Sequence, residues 1–171
     1  MNRRFKQVAQ VVSFSLLAAF ALSSSANQVP DKAAPHAKHG AAMKDTGFGK
    51  PGDAKAATRV INVGMADSMR FTPGEIAVKE GETIKFVVKN NGSIEHEFVF
   101  GTEDTLKEHG EAMMGHPGVK MDHANSVQVA PGAVKEVLWK FTTAGKFHYG
   151  CMVPGHFQAG MRGALTVAKA K

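Results

Sequence analysis

The sequence predicts an all-β protein, a Greek-key β-sandwich of about seven or eight short strands with a short helix or loop insertion. Three observations carry this reading. From Thr58 onward, apolar and polar residues alternate with the period of 2 expected of strands with one buried face. Turn signals stand at Pro73-Gly74, Glu80-Gly81, Asn90-Asn91-Gly92 and Pro131-Gly132, and the runs between Arg59 and Phe100 fall at roughly the 8–12-residue spacing of sandwiches and barrels. No regular strand–helix–strand alternation is present, which excludes a parallel α/β sheet.

Taken in order, Arg59–Val63 is the first expected strand. Phe71-Thr72-Pro73-Gly74 reads as a turn, and Glu75–Lys79 alternates as a strand. Thr83–Lys89 follows, with Ile84, Phe86 and Val88 on one face. The Asn90–Gly92 turn leads to Glu97–Phe100, with His96 near the start of that strand. The segment 101–125 breaks the rhythm. Within it, Glu103–Met114 has Leu106, His109, Met113 and Met114 near helical spacing, so a short helix is expected there. Strands resume at Ser126–Val129 and Lys135–Phe141, where Val137, Trp139 and Phe141 share a face and Trp139 reads as core. Lys146–Cys151 and Gly163–Val167 complete the set, followed by a fraying Lys/Ala tail.

Before Thr58 the composition differs. Residues 1–26 read as a secretory signal: a positive start (Arg3, Arg4, Lys6), an uncharged apolar run from Val8 to Leu22, and small residues at Ser24-Ser25-Ala26. The apolar run is shorter than the ~20 residues of a spanning helix, so a cleaved leader and a periplasmic location are expected, with no membrane anchor afterwards. Arg3-Arg4 leaves twin-arginine export open beside the general route. Residues 27–57, rich in Lys, Ala, Gly and Pro and without periodicity, read as a mobile arm. The arm carries His36, His39 and Met43, which either capture a soft metal ion transiently or merely solubilise the chain. The β domain is expected over 58–171.

The leader holds three positive charges and no negative one, so its removal lowers the net charge from +6 to +3. That balance does not suggest nucleic-acid binding. A monomer is expected.

The chemistry concentrates in Gly145-Lys-Phe-His-Tyr-Gly-Cys151-Met-Val-Pro-Gly-His156-Phe-Gln-Ala-Gly-Met161-Arg-Gly163. Cys151 is the single cysteine and cannot form an internal disulfide, so an oxidising compartment calls for its protection by burial or by a metal. Thiolate, imidazole and thioether at 151, 156 and 161 are soft and borderline donors. Two His, one Cys and a weak axial Met form the copper set of electron-transfer sites. The missing histidine is best supplied by His96. His148 is close in sequence, but strand parity turns it away from the face shared by Phe147, Tyr149 and Cys151. Pro154-Gly155 should bend the chain just before His156, and Gly160 and Gly163 should let the loop pass close to the site.

Cys-x4-His-x4-Met at the end of an all-β chain, with an upstream His after an Asn/Gly-rich turn, resembles the cupredoxins, or blue-copper proteins, from about Thr58 to Val167. The His- and Met-rich segments make the chain most similar to periplasmic cupredoxins linked to copper tolerance. The resemblance implies the sandwich fold and one type-1 copper held by His96, Cys151, His156 and Met161. The family often has Asn directly after its first ligand histidine, where this chain has Glu97.

The window from His109 to His123 holds three Met and three His (His109, Met113, Met114, His116, Met121, His123). These residues form either a second copper-interacting region taking Cu(I) or a helix packed on the sandwich with histidines beyond it. Zinc is disfavoured by the thioether. A binuclear copper centre needs a second cysteine. Oxidases and nitrite reductases of this fold place a histidine beside the Cys, where this chain has Gly150 and Met152. A Cys/His nucleophile pair has no orienting Asn or Asp nearby, so no enzyme is expected. Two roles remain: copper tolerance by binding and redox-buffering copper, or a mobile single-electron carrier. The expected partners are copper ions and a periplasmic redox or copper-transfer protein.

Overall fold

A computed structural model describes residues 46–116, 121 and 123–171. The expected leader and the donors His36, His39 and Met43 lie outside the described residues.

Ten strands and one α-helix are described: β1 (Gly49–Pro51), β2 (Arg59–Ala66), β3 (Arg70–Thr72), β4 (Glu75–Lys79), β5 (Thr83–Asn90), β6 (His96–Gly101), α1 (Glu103–Gly115), β7 (Ser126–Val129), β8 (Val134–Phe141), β9 (Gly145–Gly150) and β10 (Arg162–Ala168). They form two five-stranded sheets, ordered β1-β8-β5-β2-β3 and β4-β10-β9-β6-β7. Pairing is antiparallel except for β2 with β5 and β4 with β10. Consecutive strands switch sheets at β3 to β4, β4 to β5, β5 to β6, β7 to β8 and β8 to β9, the repeated crossing of a Greek-key sandwich.

The alternating pattern is what builds the core. Ile84, Phe86 and Val88 of β5 are wholly buried, as are Trp139 and Phe141 of β8. They meet Phe98 and Phe100 of β6, with Phe86 and Phe98 ring centroids 5.4 Å apart and Phe100 edge-on to Trp139 at 5.4 Å. Such aromatic pairs add roughly 0.5–1.5 kcal/mol each beyond the area they bury.

The expected arm ends earlier than its composition predicts. Phe48 is buried against Phe100, Trp139 and Phe147, and β1 pairs with β8 from Gly49 opposite Phe141 to Pro51 opposite Trp139. The sandwich therefore includes residues from at least Phe48, not Thr58. A three-residue edge strand containing Gly and Pro has no periodicity to read. Gly49 lies flat against the Trp139 indole and the Lys140 carbonyl, where any Cβ would collide. The stretch expected as a turn at Phe71–Gly74 begins as β3, with Phe71 opposite Met65 and buried.

The helix lies where expected and runs to Gly115. Thr102 caps its first turn by accepting from the Thr105 N–H at 3.2 Å, and Glu103 and Asp104 suit the positive end of the helix dipole. Leu106, His109 and Met113 form its buried face. That face covers the outer side of β6, so every residue of this strand is buried, unlike a strand with one solvated face. No described helix is long and apolar enough to cross a membrane.

Candidate metal centre

His96 opens β6 directly after a turn that is tied down at several points. The side chain of buried Asn90 donates to the carbonyls of Ile94 at 2.7 Å and Val129 at 2.9 Å, and accepts from the Gly92 N–H at 2.8 Å. Ser93 N–H donates to Asp67 Oδ2 at 2.7 Å, while Asp67 Oδ1 meets His96 Nε2 at 3.1 Å. The Ser93 N–H, and after it the His96 ring, hold the Asp67 carboxyl below the usual carboxylate range. With a carboxylate accepting at Nε2, the proton of neutral His96 sits there and Nδ1 presents a lone pair.

That lone pair faces the copper loop. His96 Nδ1 is 3.3 Å from His156 Nδ1, which is 3.4 Å from Cys151 Sγ, and the three ligand atoms all lie within 4.8 Å of one another. The sheet register brings them together: Val99 of β6 pairs with Gly150 of β9, which sets Cys151 beside the start of β6. The loop then turns back on itself. His156 N–H donates to Val153 O and Met161 N–H to His156 O, both at 3.0 Å, and Cys151 N–H donates to Met161 O at 3.1 Å. Gly160, at φ 97°, takes a conformation that favours glycine just before Met161. Met161 is wholly buried in the same apolar cluster as Cys151.

Burial pushes the Cys151 thiol up to about 11, against the lowering effect of the Glu97 and Val153 backbone N–H groups. The Glu97 N–H donates to Sγ at 3.3 Å. Burial, then the neighbouring His96, lower His156, against a raising effect of Asp67, so its ring is favoured neutral with a lone pair to offer. Two imidazoles and a buried sulfur thus converge. This donor set fits copper better than zinc or a hard cation.

The remaining expected donors divide. His109 and His123 approach each other edge-to-face, their ring centroids 5.3 Å apart. Met113 and Met121 join one apolar cluster with Val99, Leu106, Met152 and Phe157. Met114 is exposed and, with His148, lines a separate surface cavity of about 550 Å³. His116 is exposed at the helix C-terminus. His148 is exposed while Phe147, Tyr149 and Cys151 are buried, as parity requires.

Two contributions escaped the sequence. Asp67 carries no local signal, because its link to His96 exists only once β2 and β6 are in place. Glu97 stands where the resembling family often has Asn. Its backbone N–H nevertheless reaches the sulfur, a bond that any residue but proline supplies. Its wholly buried carboxylate accepts from Met152 N–H at 3.2 Å and meets His109 Nε2 at 2.9 Å. Charge-pair logic across a helix–strand contact could have suggested Glu97 with His109, but the sequence does not reveal which strand α1 covers.

Comparisons with known proteins agree with this geometry. The chain matches the copper binding proteins of the plastocyanin/azurin family over residues 57–168. It is 45% identical over 150 residues to the copper-resistant cuproprotein CopI of Rubrivivax gelatinosus, covering 88% of this chain and 91% of that protein. It is 40% identical to the CopI of Pseudomonas aeruginosa, covering 70% and 82%. In fold it is similar to auracyanin B, with a TM-score of 0.60 at 19% identity over 71% of this chain and 96% of the other. The reduced auracyanin of Roseiflexus castenholzii gives 0.57 at 22% identity over 66% and 98%. A soft donor set on a two-sheet scaffold and a family match across most of that scaffold lead to one conclusion: the chain belongs to the plastocyanin/azurin family of copper-binding proteins, with copper as its cofactor.

Proposed function

We propose that the protein is a periplasmic type-1 copper protein of copper tolerance, which binds and redox-buffers copper and is not an enzyme. His96, Cys151 and His156 supply the trigonal ligands and Met161 the weak axial one. The observation that carries this reading is the convergence of His96 Nδ1, His156 Nδ1 and Cys151 Sγ where a hydrogen-bonded loop meets the start of β6. Copper, when bound, supplies a one-electron couple tuned by its axial ligand and by hydrogen bonding at the sulfur. The chain's own residues do the rest. Asp67 orients His96, the Glu97 N–H steadies the sulfur, and the apolar cluster around Met161 excludes water. Ligands fixed before binding move little between redox states, which keeps the reorganisation small. The names of the curated relatives favour tolerance over the alternative role of a mobile electron carrier, which would use the same centre.

Replacing the sulfur tests the ligand set. Cys151→Ser should abolish the intense thiolate-to-copper absorption while far-UV circular dichroism keeps its β signature. Retention of that absorption would refute the assignment. Export is tested separately, by recovering the protein from the periplasmic fraction with an N-terminus near Asn27.

A further inference from the structure

Among the described residues, two histidines are held at Nε2 by a carboxylate: His96 by Asp67 at 3.1 Å, and His109 by Glu97 at 2.9 Å. In the first pair the arrangement frees Nδ1 for the copper centre. A metal-binding histidine commonly gives its other ring nitrogen to such a carboxylate. The second pair repeats the device away from the coloured centre, and the free edge of its histidine is not left in bare solvent. The His123 ring packs edge-to-face on His109 at 5.3 Å. Met113 lies one helical turn beyond His109 on the same face of α1. Met121 packs on the same apolar cluster as Met113. The approach of this second chain segment is fixed by Ser126, whose Oγ donates to the carbonyls of Met121 at 3.3 Å and His123 at 3.4 Å and accepts from His123 N–H at 3.3 Å.

We infer that His109, Met113, Met121 and His123 form a second metal site that takes Cu(I). The inference rests on the reading of the chain as a copper-handling protein and gives that reading a location. The donors are two imidazoles and two thioethers, soft or borderline, a set that selects Cu(I) over zinc, calcium or magnesium. They come as a His/Met pair four apart on a helix and a Met/His pair two apart on a loop, so folding assembles the site. Met114 and His116 are outside it. Glu97 belongs to both centres: its N–H meets Cys151 Sγ and its carboxylate orients His109, so the two sites are joined through one buried residue.

The test is anaerobic Cu(I) titration of the full chain against a chromophoric Cu(I) chelator, comparing wild type with a Met121→Leu/His123→Ala variant. Both positions lie on a loop at or near the surface, so the variant should fold, as its thermal transition will report. The variant should bind one Cu(I) fewer and keep the thiolate band after loading with Cu(II). Equal stoichiometry in the two proteins would overturn the inference. Ag(I), a redox-inert probe, gives a second readout. In wild type it should shift the methyl NMR signals of Met113 and Met121 together, and unmoved signals at both residues would also overturn the inference. Failure of the main copper assignment reads out elsewhere, as loss of the thiolate band in wild type itself.

Discussion

The two carboxylate–histidine pairs share a geometry and differ in surroundings. Asp67 is 41% exposed and rests on backbone N–H groups at a turn, so water screens its hold on His96. Glu97 and its partner His109 lie between α1 and the outer face of β6, with Glu97 wholly buried and His109 nearly so. An exposed carboxylate can orient a ligand at little risk to the fold. A buried one must have both oxygens satisfied, and here Met152 N–H and His109 do that. The comparison teaches that the first pair orients a side chain of the candidate metal centre, whereas the second also holds up the helix.

Breaking the buried pair should have the largest effect. Glu97→Ala leaves Met152 N–H and His109 without their partner and opens a cavity, and should destabilise the copper-free protein by about 3–5 kcal/mol, read from urea unfolding. If stability were unchanged, the burial contrast between the two pairs would carry no meaning.

Breaking the exposed pair should separate binding from folding. Asp67→Ala should leave the unfolding midpoint in place while weakening copper binding by about 10–100-fold, the usual consequence of removing an orienting partner. Loss of fold with unchanged copper affinity would reverse the roles assigned here.

The buried side of the comparison is sharpened by pH. The thiol of Cys151 is raised to about 11 from an ordinary 9.0. The folded copper-free state therefore keeps a proton that the unfolded state releases between those values, and stability falls as pH rises from 9 towards 11. Alkylation of copper-free Cys151 should accelerate across the same window, and Cys151→Ser should remove that part of the alkaline loss. Rapid alkylation at neutral pH would mean that the sulfur is open to water.

The smallest effect is expected at His148, which lies near Cys151 in sequence but faces away from it. His148→Ala should leave both the thiolate band and the copper stoichiometry as they are. A changed band would show that the cavity it lines reaches the metal centre.

What could be read in advance follows the same division. Ile84, Phe86 and Val88, or Val137, Trp139 and Phe141, declare their strands because one face is buried and the other is not. The candidate loop donors Cys151, His156 and Met161 stand out through donor type and spacing within one segment. The place of His96 beside them depends on pairing between distant strands, which the register of β6 with β9 supplies. β1 was missed because its three residues have no pattern. Asp67 and the inward role of Glu97 were missed because both depend on neighbours far away in the chain. The helix itself was legible, but the strand it would cover was not.

Copper K-edge X-ray absorption of the metal-loaded full chain tests the central claim most directly. The account predicts a first shell of two nitrogens and one short sulfur, with that sulfur absent in Cys151→Ser. A shell of nitrogen and oxygen alone in wild type would contradict it.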